Sequence, residues 1–254
     1  MELWKCLIMF PIGIVAGIIN TIAGGGSLFT LPILIFIGLP PSIANGTNRL
    51  AIAAQNVSAV AGFKYKGISN FKLSILMAVP VLFGTIVGVN IAVEISDVLF
   101  KRILAIVMLL VFWLMMWDSI AKKTGCVLFD YSAKKISFFH RIITVAVFFF
   151  VGLYCGFIQA GVGLVIIAVL ASISSFRLVE INSHKVFIIG VSALFSLLVF
   201  IYHNKICWPV GISLAAGNGL GGWLGSYLAV KRGDRLIKTI LCVMIIFMAI
   251  KLLL

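Results

Sequence analysis

The chain has 254 residues, of which 63% are hydrophobic and only 11% charged, with 20 Lys+Arg against 7 Asp+Glu. That balance excludes an ordinary soluble domain and fits a polytopic membrane protein. A net charge of +13 in a soluble chain would suggest nucleic acid. Here the basic residues fall between apolar spans, so they read as topology determinants and no nucleic-acid partner is expected.

Apolar segments fall at about 6–23, 28–39, 44–63, 73–92, 98–117, 138–158, 164–174, 181–202, 208–229 and 236–254. Most can span a hydrocarbon core of roughly 30 Å as helices. The segments 28–39 and 164–174 are half-length, and each follows a glycine cluster: Gly24-Gly-Gly26 with Ser27, and Gly161-Val-Gly163. Consecutive glycines cannot hold a lipid-facing helix, and non-helical backbone at membrane depth survives only under protein or around a cavity. Each cluster therefore reads as a helix break between a long segment and its short partner. The N-terminal run from Lys5 to Ala23 has a counterpart in the second half, so it reads as a span and not as a cleaved signal. Cys6, Cys126, Cys155, Cys207 and Cys242 lack metal or redox spacing and read as free thiols.

The two halves match in register. Gly13, Gly17 and Asn20 precede Gly152, Gly156 and Gln159 by 139 positions. From Gly26 onward the offset is 137, pairing Gly26 with Gly163, Asn45 with Asn182, Gly84 and Gly88 with Gly221 and Gly225, and Asp97 with Asp234. This divides the chain into repeats at 1–117 and 138–254, joined by a basic cytoplasmic linker at 118–137. Each half holds a broken-helix hairpin plus three full spans. That odd number of full crossings inverts the second half. With the 64–72 loop placed inside, the cytoplasmic side collects thirteen basic residues, among them Lys64, Lys66, Lys72, Arg141 and Arg177, against five outside. Both termini then lie outside. The fold expected is an all-α polytopic membrane protein of two inverted repeats.

Two broken helices in inverted repeats are the pattern of a secondary transporter, with its site where the breaks meet. The backbone N–H groups of Gly24, Gly25, Gly26 and Ser27, and those of Gly161 and Gly163, start half-helices and suit a small anion. Asn20 and Gln159 stand at matched positions before the breaks. Asn45-Gly-Thr47-Asn48-Arg49 matches Asn182-Ser-His184-Lys185. Asn45 and Asn182 read as helix N-caps. Thr47 and Asn48 join the candidate ligand contacts, Arg49 and Lys185 would neutralise an anion, and His184 could couple protons. The four glycine pairs at 13/17, 84/88, 152/156 and 221/225 read as close helix packing. All seven acids lie at or near span ends, which argues against a carboxylate-driven cation antiporter. No nucleophile–base arrangement, metal spacing or nucleotide motif stands out, so neither an enzyme nor a cofactor is expected.

The pattern Gly17-Ile-Ile-Asn20-Thr-Ile-Ala-Gly-Gly-Gly26-Ser, then Pro32, then Gly38-Leu-Pro-Pro41-x-x-Ala44-Asn45-Gly-Thr47-Asn48-Arg49, and its weaker echo Gly156-Phe-Ile-Gln159-Ala-Gly161-Val-Gly163, resembles the sulfite exporter TauE/SafE family of membrane permeases (4-toluene sulfonate uptake type). The resemblance covers almost the whole chain through the duplication. Val162 departs from it, where repeat symmetry would place a small residue. The resemblance implies a permease for sulfite, a sulfonate or a related organosulfur anion, in a bacterial inner membrane. The other class of function weighed is a membrane assembly protein that keeps the fold without transport. Coupling ion and oligomeric state are open at this level.

Overall fold

The computed structural model describes residues 3–68, 71–121, 138–174 and 176–231. Within them the chain forms nine helices: α1 (Leu3–Ala23), α2 (Ser27–Phe36), α3 (Pro41–Tyr65), α4 (Phe71–Glu94), α5 (Asp97–Ala121), α6 (Phe138–Phe157), α7 (Val162–Ile173), α8 (Leu178–Tyr202) and α9 (Trp208–Lys231). The tenth expected span, 236–254, and most of the 118–137 linker lie outside the described residues. α5 continues through Ala121, four residues past the expected junction.

Leu3–Ala23, Lys72–Glu94 and Leu178–Tyr202 are long and apolar enough to cross a bilayer. At 1.5 Å per residue, α2 with 10 residues and α7 with 12 reach only about halfway. Large apolar side chains such as Phe83, Ile106, Phe150 and Leu198 are exposed around the bundle. Lipid covers such a surface without cost, whereas water would not. The chain is thus a membrane protein whose regular structure is all helical among the described residues.

Helix starts follow local chemistry. α3 begins at Pro41, with Pro40 as the capping position; proline suits this first turn because its missing N–H would have no helical partner. α8 begins after Arg177, whose backbone N–H donates to Glu180 Oε2 over 2.9 Å. Asn45 and Asn182 therefore lie in the second turn of their helices. The N-cap roles expected for them are corrected: Pro41 and the Arg177–Glu180 pair start these helices a turn earlier.

α3 and α8 both have 25 residues, and α4 and α9 both have 24. Each pair starts 137 positions apart (41 to 178, 71 to 208). The long helices take partners from the opposite half: α1 lies along α9, α4 along α6, and α3 against both α8 and α9. Glycines permit these approaches. A Cβ on Gly13 would lie 2.6 Å from Leu214 O, and one on Gly221 would lie 2.2 Å from Ile14 O. Between α4 and α6, a Cβ on Gly84 would reach Phe149 O at 2.0 Å and one on Gly152 would reach Val81 O at 2.1 Å. These small-residue seams are where the sequence places close packing. Of the apolar cores among the described residues, the two largest join α1, α2 and α5 in one and α6, α7 and α8 in the other.

Candidate functional site

The two helix breaks touch. Gly24 ends α1 with φ +82°, and its N–H returns to Ile19 O and Asn20 O at 3.2 and 2.9 Å. A Cβ there would sit 2.4 Å from the Gly163 carbonyl carbon, and one on Gly163 would sit 2.4 Å from Gly24 Cα. Next to this contact Ser27 Oγ donates to Gln159 O at 3.2 Å and accepts the Gly161 N–H at 3.4 Å. The starts of α2 and α7 thus meet backbone to backbone. In the second break Gln159 and Gly161 both take positive φ, 63° and 73°. Gln159 occupies a left-handed conformation that side chains rarely adopt. Asn20 is still helical within α1, so the matched pair Asn20 and Gln159 differ in backbone state. Val162 is buried as the first residue of α7.

Two cations flank the contact. Arg49 and Lys185 are both fully buried. Lys185 Nζ on α8 donates to Asn20 O, Thr21 O and Asn182 Oδ1 at 3.1, 2.8 and 2.7 Å. Arg49 on α3 donates to Cys155 O at 2.5 Å, Gly156 O at 2.8 Å and Gln159 Oε1 at 2.6 Å. Each cation therefore sits on the C-terminal end of the other half's broken helix, where the last carbonyls carry negative partial charge. Around them Asn20 Nδ2 donates to Gln55 Oε1 at 2.5 Å, and Gln55 Nε2 donates to Thr21 Oγ1 at 2.8 Å. Asn45 Nδ2 donates to Phe157 O at 3.0 Å, and Thr30 Oγ1 to Asn48 Oδ1 at 2.6 Å. Two donors in the cluster, Arg49 Nε and Gln159 Nε2, are buried without an acceptor among the described residues.

The structure thus gathers Asn20, Gly24, Ser27, Arg49, Gln159, Gly161, Gly163 and Lys185 at one place, with Gly25 and Gly26 in the same turn and Asn48 attached through Thr30. Thr47 and His184 lie elsewhere. Thr47 Oγ1 accepts the Cys207 N–H at 2.9 Å, and His184 Nδ1 pairs with Ser74 Oγ at 2.8 Å. Gln55 and Thr30 were missed by the sequence reading. The buried polar residues of α3 at 45, 48, 49, 55 and 56 recur at helical spacing, a signal that points to Gln55.

The sulfite exporter TauE/SafE family model matches residues 9–252 of the chain. A "Probable membrane transporter protein" of Haemophilus influenzae is 29% identical over 96% of this chain and 92% of its own length. The "Probable membrane transporter protein YfcA" of Escherichia coli is 26% identical over 97% of this chain and 88% of its own. A "Probable membrane transporter protein ORF9" of a Sinorhizobium species is 26% identical over 96% and 91%. No solved structure matches.

Proposed function

The chain belongs to the sulfite exporter TauE/SafE family, and from that premise we propose that it is a secondary permease for a small anion. The substrate class is sulfite, a sulfonate or a related organosulfur compound. Transport runs by alternating access between two inverted repeats, 1–117 and 138–254, in a bacterial inner membrane with both termini extracytoplasmic. The membrane-transporter part of this reading is shared with the relatives, whose printed names say as much.

The observation that carries the anion is the Arg49–Gln159 pair beside the meeting breaks. Arg49 Nε and Gln159 Nε2 are buried donors with no acceptor among the described residues. Such a donor costs about 1–3 kcal/mol, and native sites that hold one have a use for it. Both are donors only, so an oxyanion satisfies them and a cation does not. Lys185 and the N–H groups opening α2 and α7 add positive potential on the same side of the balance. The exchange of partners between halves, with α1 on α9 and α4 on α6, supports a two-fold relation between repeats that can rock about a shared centre.

The test is uptake into proteoliposomes of labelled sulfite, sulfonates and sulfate. Wild type is expected to accumulate at least one of them, and a Lys185→Ala/Gln159→Ala variant to lose at least tenfold of that flux. If none is moved and the variant equals wild type, the anion reading falls and the assembly-protein reading takes its place.

A further inference from the structure

Two matched places in the fold differ in the side chains that stand where helix meets loop. Gly46 on α3 and Ser183 on α8 stand 137 positions apart, as do the loop residues they face, Lys205 and Ile68. At the first place a Cβ on Gly46 would lie 2.0 Å from Lys205 O, so helix and loop are in direct backbone contact. Thr47 fastens that contact by accepting the Cys207 N–H. At the second place a side chain intervenes: Ser183 Oγ donates to Ile68 O over 2.8 Å. His184 stands where Thr47 does, and Ser74, its hydrogen-bond partner, stands where the first place has Gly211. There the structure has a cavity of about 210 Å³, lined by Ile68, Phe176, Arg177, Glu180, Ser183 and His184.

We propose that this cavity is a docking site for a small oxyanion, with His184 and Ser183 as its inner wall and Arg177 at its mouth. It rests on the anion-permease reading above and adds a second station to it, distinct from the cluster at the breaks. Arg177 is largely exposed and joined to Glu180 by one contact, Nη2 to Oε1 at 3.2 Å. That contact uses one of five guanidinium donors, and Glu180 also holds the Arg177 backbone N–H. The acid is thus engaged locally, and the guanidinium retains donors for a ligand. His184 is only 3% exposed, and its ring lies tilted by 38° against that of Phe176, with centroids 5.2 Å apart. With Nδ1 on Ser74, Nε2 is its other polar atom, on a ring that lines the cavity. The next residue, Lys185, holds the end of α1, so one helix carries both the docking wall and a residue of the break cluster. The volume admits a small oxyanion.

The experiment titrates sulfate and methanesulfonate into the purified full chain in detergent by calorimetry, alongside proteoliposome uptake. The set is wild type, Arg177→Gln, His184→Gln, Lys205→Gln and the Lys185→Ala/Gln159→Ala variant. Arg177→Gln and His184→Gln are expected to weaken binding about tenfold and to raise the KM of uptake with kcat little changed. Lys205→Gln, at the sealed counterpart, leaves both as in wild type. Arg177 is on the surface, so its variant folds and decides the matter even if His184→Gln does not fold. If both variants bind as wild type while Lys185→Ala/Gln159→Ala loses binding, the docking site is overturned and the permease reading stands. If wild type binds and moves neither anion, the permease reading falls first and the docking site with it.

Discussion

Lys185 and Arg49 serve one role from unmatched positions. Lys185 pairs by repeat with Asn48, whereas the first half carries its cation one residue later. Each nonetheless places its charge on the last carbonyls of the other half's broken helix. A buried charge in a membrane span is costly, and that cost made Lys185 stand out in the sequence. Its partners across the bundle were not legible, because Asn20 O and Thr21 O are backbone atoms and any residue types would supply them. Gln55 was legible in principle from the polar stripe of α3 but carried no charge to draw attention. Replacing Lys185 by Met removes donors that three oxygens now share, each charge-assisted bond contributing about 1.5–3 kcal/mol. Lys185→Met is therefore expected to lower the unfolding midpoint in detergent by several degrees, and Lys185→Arg to recover most of the loss. A midpoint unchanged in the Met variant would remove the helix-end role from this residue.

Among the elements, the half-helices were the most legible, because a glycine cluster followed by a short apolar run fits no continuous span. α2 and α7 fall within two residues of the expected starts. Less legible was how the second break is made: Gln159, not glycine, takes the first positive φ there, and tertiary packing decides that. How closely the breaks approach was likewise hidden, because facing helix starts suggest a space between them and only the folded chain shows Gly24 against Gly163. Gly163→Ala puts a Cβ 2.4 Å from Gly24 Cα, against backbone that cannot yield as a side-chain tip would. Overpacking of this kind costs about 1–3 kcal/mol. Gly38→Ala is the control: its φ is +96° with nothing within 4 Å, so it bears only the positive-φ penalty of about 1–3 kcal/mol. Thermal unfolding and uptake should separate the two. Gly163→Ala is expected to abolish uptake, and Gly38→Ala to retain it with a modest drop in stability. Equal behaviour would mean that the contact between breaks has no special role.

For the whole molecule the open question is whether the halves are inverted. The matched bounds of α3 with α8 and of α4 with α9 fit a duplication of either sense. The exchange of helices, α1 on α9 and α4 on α6, fits a two-fold axis of either sense, so parity of crossings is what argues for inversion. The loops after α3 and α8 provide a direct comparison. Gly67 and Asn204 stand at matched positions with φ of +70° and +54°, each in the turn that closes its 25-residue helix. In a parallel duplication both turns face the same compartment, and in an inverted one they face opposite compartments. In a chain whose five native cysteines are replaced by serine, cysteines placed next to them, Lys66→Cys and His203→Cys, should therefore react with a membrane-impermeant maleimide from opposite sides. The basic-residue count puts 66 inside and 203 outside. In intact cells His203→Cys is expected to label and Lys66→Cys to label only after permeabilisation. Labelling of both from one side would rule out inversion.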